Sequence, residues 1–205
     1  MNDARLEAAG LPRSPGLVRT VLPFLALAGI VLLAVALWHT FGPRPNLAPD
    51  FTLTDQSGAP FTLSMQRPHP VVLFFGYTHC PDACPTALAS MARALRMAGM
   101  DDSVRVAFIS VDPHRDTPAV LKRYVNLFDP HFVGVTGTRP QLERVEDAYH
   151  TWSAEIPADH GPHDDYTVAH GSTIYFIDGG GALRGFASWD DDPAKLASAL
   201  KQYFS

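Results

Sequence analysis

The chain is poor in cysteine and has no surplus of positive charge. Two cysteines among 205 residues cannot staple a small scaffold, and a chain of this length buries enough apolar surface without staples. The pair therefore invites a chemical role. No internal repeat and no low-complexity tract is present, which sets aside collagen, coiled-coil and disordered-tail classes. Arg5, Arg13, Arg19 and Arg44 stand against Asp3 and Glu7 in residues 1–49, a net +2, so residues 50–205 carry −7 of the formal −5 total. An acidic body does not suit phosphate backbones, and no nucleic-acid partner is expected. What is present, 46% apolar residues, fits one globular domain plus a membrane segment.

Val21 to Trp38 is a run of 18 residues without a charge, which at about 1.5 Å per residue nearly matches a bilayer core. One transmembrane helix is expected within residues 20–40. Pro23 falls in its first turn, where a missing N–H costs least, and Trp38, His39 and Phe41 fall where an interfacial belt belongs. Arg5, Arg13 and Arg19 precede the run and only Arg44 follows closely, so residues 1–19 are expected in the cytoplasm and the body outside. A cleavable signal peptide is the competing reading, because Ala34-Val35-Ala36 has the small-x-small form of a cleavage site. Either reading exports the body. Pro43, Pro45 and Pro49 make residues 41–49 an extended tether, and the domain is expected over 50–205.

The body alternates strand and helix signals. Phe51–Leu53 and Phe61–Leu63 surround the turn Gln56-Ser57-Gly58 and predict an entry hairpin. Val71–Gly76 and Val104–Val111 are apolar runs of strand length, and between them Thr86–Met97 carries a helical stripe, giving a βαβ unit. Asp116-Thr117-Pro118 opens a helix expected to reach Phe128, followed by a strand at Phe132–Val135 and a helix at Pro140–Tyr149. Thr173–Ile177 and Ala182–Ala187 flank a glycine-rich turn, and Asp192-Pro193 caps a last helix to Phe204. This order predicts an α/β, thioredoxin-like domain with a central mixed sheet and flanking helices.

Cys80-Pro81-Asp82-Ala83-Cys84-Pro85 follows the buried strand at its carboxyl end, where open α/β sheets place their chemistry. A proline after each cysteine disfavours helical torsions there, so the regular helix is expected to start at Pro85, with Cys84 at its N-cap and favoured as a thiolate. Three residues intervene rather than the two of the usual redox pair, which widens the sulfur separation available to an ion. Two thiolates leave a metal under-coordinated, and a third ligand must come from elsewhere. His170 is the candidate, because it precedes the strand Thr173–Ile177, which should neighbour the Val71 strand. His79 adjoins Cys80 but should point away from it, and His160 and His163 lie in a polar loop. Asp112 and Asp116 are expected in turns and caps; with Asp82 they leave a harder ion or Cu(II) open. Two cysteines and a histidine suit Cu(I) at three-coordination and also Zn(II) with a water.

Gly76-Tyr77-Thr78-His79-Cys80-Pro81-Asp82-Ala83-Cys84-Pro85-Thr86, then Ser110-Val111-Asp112-Pro113-His114-Arg115-Asp116-Thr117-Pro118, then His170 before a strand, resembles the SCO/SenC family of copper chaperones over about residues 47–204. The resemblance implies Cys80, Cys84 and His170 as copper ligands, Cu(I) first and Cu(II) second. It also implies a role in assembling the binuclear copper centre of cytochrome c oxidase. The implied partners are the oxidase's copper-bearing subunit and other copper chaperones or thiol reductants. The implied setting is a single-pass protein of the bacterial inner membrane with its domain on the periplasmic side. One departure is visible: the family often has Asp before the histidine, and this chain has Ala169. The resemblance also permits a thiol–disulfide oxidoreductase acting through Cys80 and Cys84 on the oxidase subunit's copper-ligand cysteines. A metallochaperone rather than an enzyme is the reading adopted. A peroxidase relative on the same fold would need one especially reactive cysteine.

Overall fold

The computed structural model describes residues 24–25, 27–34, 36–37, 46–157 and 166–204, in two compact units, Met1–Pro45 and Asn46–Ser205. In the first unit the described residues are helical and exposed. No helix among the described residues is long and apolar enough to cross a membrane. The ends of the expected span, its arginine flanks and residues 41–45 lie outside the described residues.

The second unit starts at Asn46, four residues ahead of the expected Asp50. The backbone explains the shift: Leu183 N–H donates to the Asn46 carbonyl at 2.7 Å and Ala48 N–H to the Gly181 carbonyl at 2.9 Å, so residues 46–49 leave the tether and join the body.

Seven strands form the main sheet: β1 (Thr52–Asp55), β2 (Pro60–Thr62), β3 (Val71–Gly76), β4 (Arg105–Ser110), β5 (Val133–Thr136), β8 (Thr173–Ile177) and β9 (Leu183–Ser188), in the order β2-β1-β5-β4-β3-β8-β9. The strands β3, β4 and β5 run parallel, while β8 lies antiparallel to β3 with Val71 opposite Ile177 and Phe74 opposite Ile174. Among the described residues this unit has four α-helices, α1 (Ala83–Ala98), α2 (Pro118–Val125), α3 (Arg139–Ala148) and α4 (Pro193–Phe204). Val72 and Phe74 enter the core that holds Leu88, Leu95, Leu121 and Leu200, whereas Val71, Leu73 and Phe75 enter the opposite core with Leu142, Val145 and Tyr175. Both faces of β3 are thus covered, which is why its sequence is continuously apolar. The mixed sheet with helices on both faces is the expected thioredoxin-like architecture.

Local signals set the helix starts. Thr117 Oγ1 accepts from Val120 N–H with Pro118 in the first turn, and Asp192 Oδ1 accepts from Ala194 and Lys195 N–H. Two expectations need correction. The helix α1 begins at Ala83 rather than Pro85: Thr86 N–H already donates to the Asp82 carbonyl at 3.1 Å, and Pro85 falls in the first turn, where an N–H has no intrahelical partner to lose. The helix α2 ends at Val125, with residues 126–128 in a turn, not at Phe128.

A separate two-stranded sheet, β6 (Ser153–Pro157) with β7 (Tyr166–His170), was not expected from the sequence. Its connection, which holds His160 and His163, lies outside the described residues.

Candidate metal centre

The site forms where β3 ends. Gly76 closes the strand beside the start of α1, and a Cβ there would lie 2.6 Å from Cys84 Sγ and 2.7 Å from a Phe108 ring carbon. Only a residue without a side chain lets the buried sulfur approach the strand so closely. The following turn is fastened to β4 by Asp116, which is fully buried. Its carboxylate accepts from Thr78 N–H at 2.9 Å, from Thr78 Oγ1 at 2.5 Å and from Ser110 Oγ at 2.6 Å. Asp116 therefore holds the cysteine turn against the neighbouring strand; the helix cap beside it is Thr117.

Within that turn, Cys84 N–H donates to Cys80 Sγ at 3.4 Å, and both cysteines are free thiols. His170, at the end of β7, brings Nε2 to 3.6 Å from Cys84 Sγ. Its Nδ1 lies 2.9 Å from the Gly171 carbonyl, which can only accept, so Nδ1 carries a proton and Nε2 is the ring nitrogen turned toward the sulfurs. The Tyr77 ring stands edge-on to the imidazole at a centroid distance of 5.8 Å. One donor atom from each of Cys80, Cys84 and His170 lies within 4.8 Å of the other two, the sole such group of His, Cys, Asp and Glu among the described residues.

The two sulfurs are electrostatically unlike. The Cys80 thiol is held well below its ordinary value, because Cys84 hydrogen-bonds to its sulfur; burial opposes this, and the His170 and Cys84 N–H contacts add to it. The Cys84 thiol is pushed up by that same contact with Cys80, by its burial and by the neighbouring negative sulfur. The thiolate expected at Cys84 from its place near a helix N-terminus is therefore assigned to Cys80. A buried thiol that donates to its neighbour gains more by keeping its proton than the helix end offers its anion.

The remaining candidates fall elsewhere. His79 faces Thr78 Oγ1 at 3.1 Å and Asp116 at 3.9 Å, away from the sulfurs as its strand-end position implied. Asp82 turns toward Thr86, 3.4 Å away. Asp112 opens the expected turn, accepting from Arg115 N–H at 3.4 Å, and it is also buried, pairing with Arg115 Nε at 2.5 Å and accepting from Tyr166 OH at 2.7 Å. The carboxylates expected to leave a harder ion open are thus engaged in hydrogen bonds of their own. His131 pairs with Asp129 at 3.1 Å.

The SCO1/SenC family sequence model matches residues 41–205. The chain belongs to the SCO1/SenC family. A SCO2-like protein of Rickettsia conorii is 34% identical over 159 residues, 76% of each chain. Among solved structures, copper-bound ScoI of Bradyrhizobium japonicum matches with a TM-score of 0.68 and 40% identity, over 77% of this chain and 99% of that one. Copper-bound ScoI of Arabidopsis thaliana matches with a TM-score of 0.70 and 28% identity, over 77% and 97%.

In this SCO1/SenC chain Ala169, which stands where the family often has Asp, sits opposite Ala154 across the β6–β7 pair. Sequence reasoning did not single out Gly76 or Tyr77. A glycine ending an otherwise bulky apolar run was the available signal for the first. For Tyr77 no local signal existed, since its partner ring lies far along the chain.

Proposed function

We propose that this protein is a membrane-tethered copper chaperone in which Cys80, Cys84 and His170 hold copper, Cu(I) first, and deliver it during assembly of the binuclear copper centre of cytochrome c oxidase. The observation that carries this reading is the convergence of two sulfurs and one imidazole nitrogen within 4.8 Å at the end of β3. Two soft donors and one borderline donor suit Cu(I) at three-coordination. Family membership and the likeness to copper-bound ScoI structures support copper over Zn(II). Copper is cargo here. Exchange with a partner disulfide, which takes two electrons from the two copper-bound thiolates and leaves as two thiols after taking up two protons, joins Cys80 to Cys84, removes both thiolate donors and releases the ion. The uncharged run of residues 21–38 supports a single-pass anchor in a bacterial inner membrane with the domain on the periplasmic side. The oxidase's copper-bearing subunit is the proposed acceptor, and other copper chaperones or thiol reductants are the proposed suppliers.

Titration of the reduced, full-length protein with Cu(I) should give a one-to-one complex. Cys80→Ser or Cys84→Ser should nearly abolish retention and His170→Ala should weaken it. Native binding in all three variants rejects the site.

A second reading is favoured by the unlike sulfurs: Cys80 is half-buried with its thiol held low, whereas Cys84 is buried with its thiol pushed up. This is the division between attacking and resolving thiols that a disulfide reductase needs. Loss of the gene should lower oxidase activity in either case. Rescue by added copper supports delivery; rescue by reductant, together with complementation by a copper-blind variant, supports reduction of the oxidase subunit's cysteines.

A further inference from the structure

His170 does not sit on the main sheet. It ends a two-stranded hairpin, and an isolated pair of strands is at best marginally stable in water. Its position depends on whatever fastens that hairpin to the body. Register places Ser153 directly opposite His170, and Tyr166 opens the same strand four residues earlier. Each of these two points meets a half-buried arginine paired with a buried carboxylate.

At the His170 end, Ser153 Oγ donates to Glu146 Oε1 at 2.6 Å and accepts from Arg139 Nη1 at 3.0 Å. Arg139 closes an ion pair with Glu146, which is buried, and also donates to the Val111 carbonyl at 3.1 Å just past β4. At the Tyr166 end, Arg115 Nη1 donates to the Tyr166 carbonyl at 3.0 Å and its guanidinium lies 3.8 Å from the centroid of the Tyr166 ring. Arg115 Nε pairs with buried Asp112, which also accepts from Tyr166 OH. An ion pair whose carboxylate is buried is a poor source of net stability but can specify geometry. Here both pairs spend hydrogen bonds on the hairpin that presents the imidazole.

We propose that Arg139–Glu146 and Arg115–Asp112 are positioning pairs that hold the β6–β7 hairpin, and through it the His170 imidazole, in reach of Cys80 and Cys84. The inference rests on the ligand assignment above and extends it. The Ser153 and Tyr166 hydroxyls join the hairpin to the two carboxylates, so removing both loosens it while Val168 stays packed in the core and neither ion pair is broken.

The test uses full-length reduced protein. Cu(I) affinity is measured by competition with a chromogenic chelator, and imidazole ligation by copper X-ray absorption. Supporting groups around a metal ligand typically carry about 10- to 100-fold in affinity. Ser153→Ala with Tyr166→Phe should weaken Cu(I) binding by that factor and remove most of the imidazole contribution, while both sulfurs remain bound. Ser153→Thr, which keeps the hydroxyl, should bind as the native protein does. If the double variant does not fold, the single variants are compared in the same way, and native affinity with native imidazole ligation in both overturns the proposal. His170→Ala separates the two claims. If it weakens binding while the hairpin variants bind copper and imidazole normally, the positioning pairs fail and the ligand assignment stands. If His170→Ala leaves affinity and spectrum unchanged, the ligand assignment fails and this proposal falls with it.

Discussion

Cys80 should react with disulfides at a rate that barely changes with pH. Its thiol is lowered to about 3, chiefly by the hydrogen bond from Cys84, against the opposing effect of burial. An ordinary thiol with a pKa of about 8.5 is only ~0.3% ionised at pH 6, so full ionisation raises the reactive fraction of Cys80 roughly 300-fold. A thiolate of lower basicity is also a weaker nucleophile, and a Brønsted coefficient of about 0.4–0.5 over that gap costs roughly 200- to 500-fold. The two effects cancel near pH 6. Cys80 should then outpace an ordinary thiol by about tenfold at pH 5 and fall behind it by about 100-fold at pH 8. Because the folded value is depressed, the thiolate persists throughout this window and disappears only as pH falls through the region of the folded pKa. The assay is the initial rate at which metal-free, reduced protein releases thiol from a small symmetric disulfide between pH 4 and 8, with mass spectrometry to identify the cysteine attacked. A rate that climbs about tenfold per pH unit from 5 to 8 refutes the hydrogen-bonded thiolate, as does initial attack by Cys84.

Gly76→Ala brings a methyl to 2.6 Å from Cys84 Sγ and 2.7 Å from the Phe108 ring, both fully buried. Overpacking of this kind costs about 1–3 kcal/mol, so the denaturation midpoint should fall; a loss below about 0.5 kcal/mol would mean that the strand end yields. Tyr124 has a buried hydroxyl without a hydrogen-bond partner among the described residues. Since an unpaired buried hydroxyl costs about 1–3 kcal/mol, Tyr124→Phe should leave stability unchanged or raise it, with copper binding intact. A clear loss of stability would reveal a partner for that oxygen.

Local pattern carried most of the fold. The apolar run Val71–Gly76, the stripe after Cys84, the Thr117-Pro118 start and the Asp192-Pro193 cap all became the elements their chemistry implied. The hairpin β6–β7 was not legible, because its strands are short, only Val168 of them is buried, and the connection between them exceeds tight-turn length. Its identity depends on Arg139 and Arg115 reaching it from α3 and the loop after β4. The order of strands carries one distant inference: Thr173–Ile177 lies beside β3, which brings His170 toward the cysteines.

By itself, the sequence determined the layer order, the strand end at which two cysteines sit, and the neighbourhood of one histidine. These follow from periodicity and from short-range preferences for caps, prolines and turns. Only the tertiary structure decided which sulfur ionises, which nitrogen of the ring faces it, and what fastens the ring there. Those outcomes turn on burial and on contacts between residues distant in the chain, such as Cys84 and His170, 86 positions apart. Desolvation and hydrogen-bond direction have no local signature, because they are properties of what surrounds a group in space.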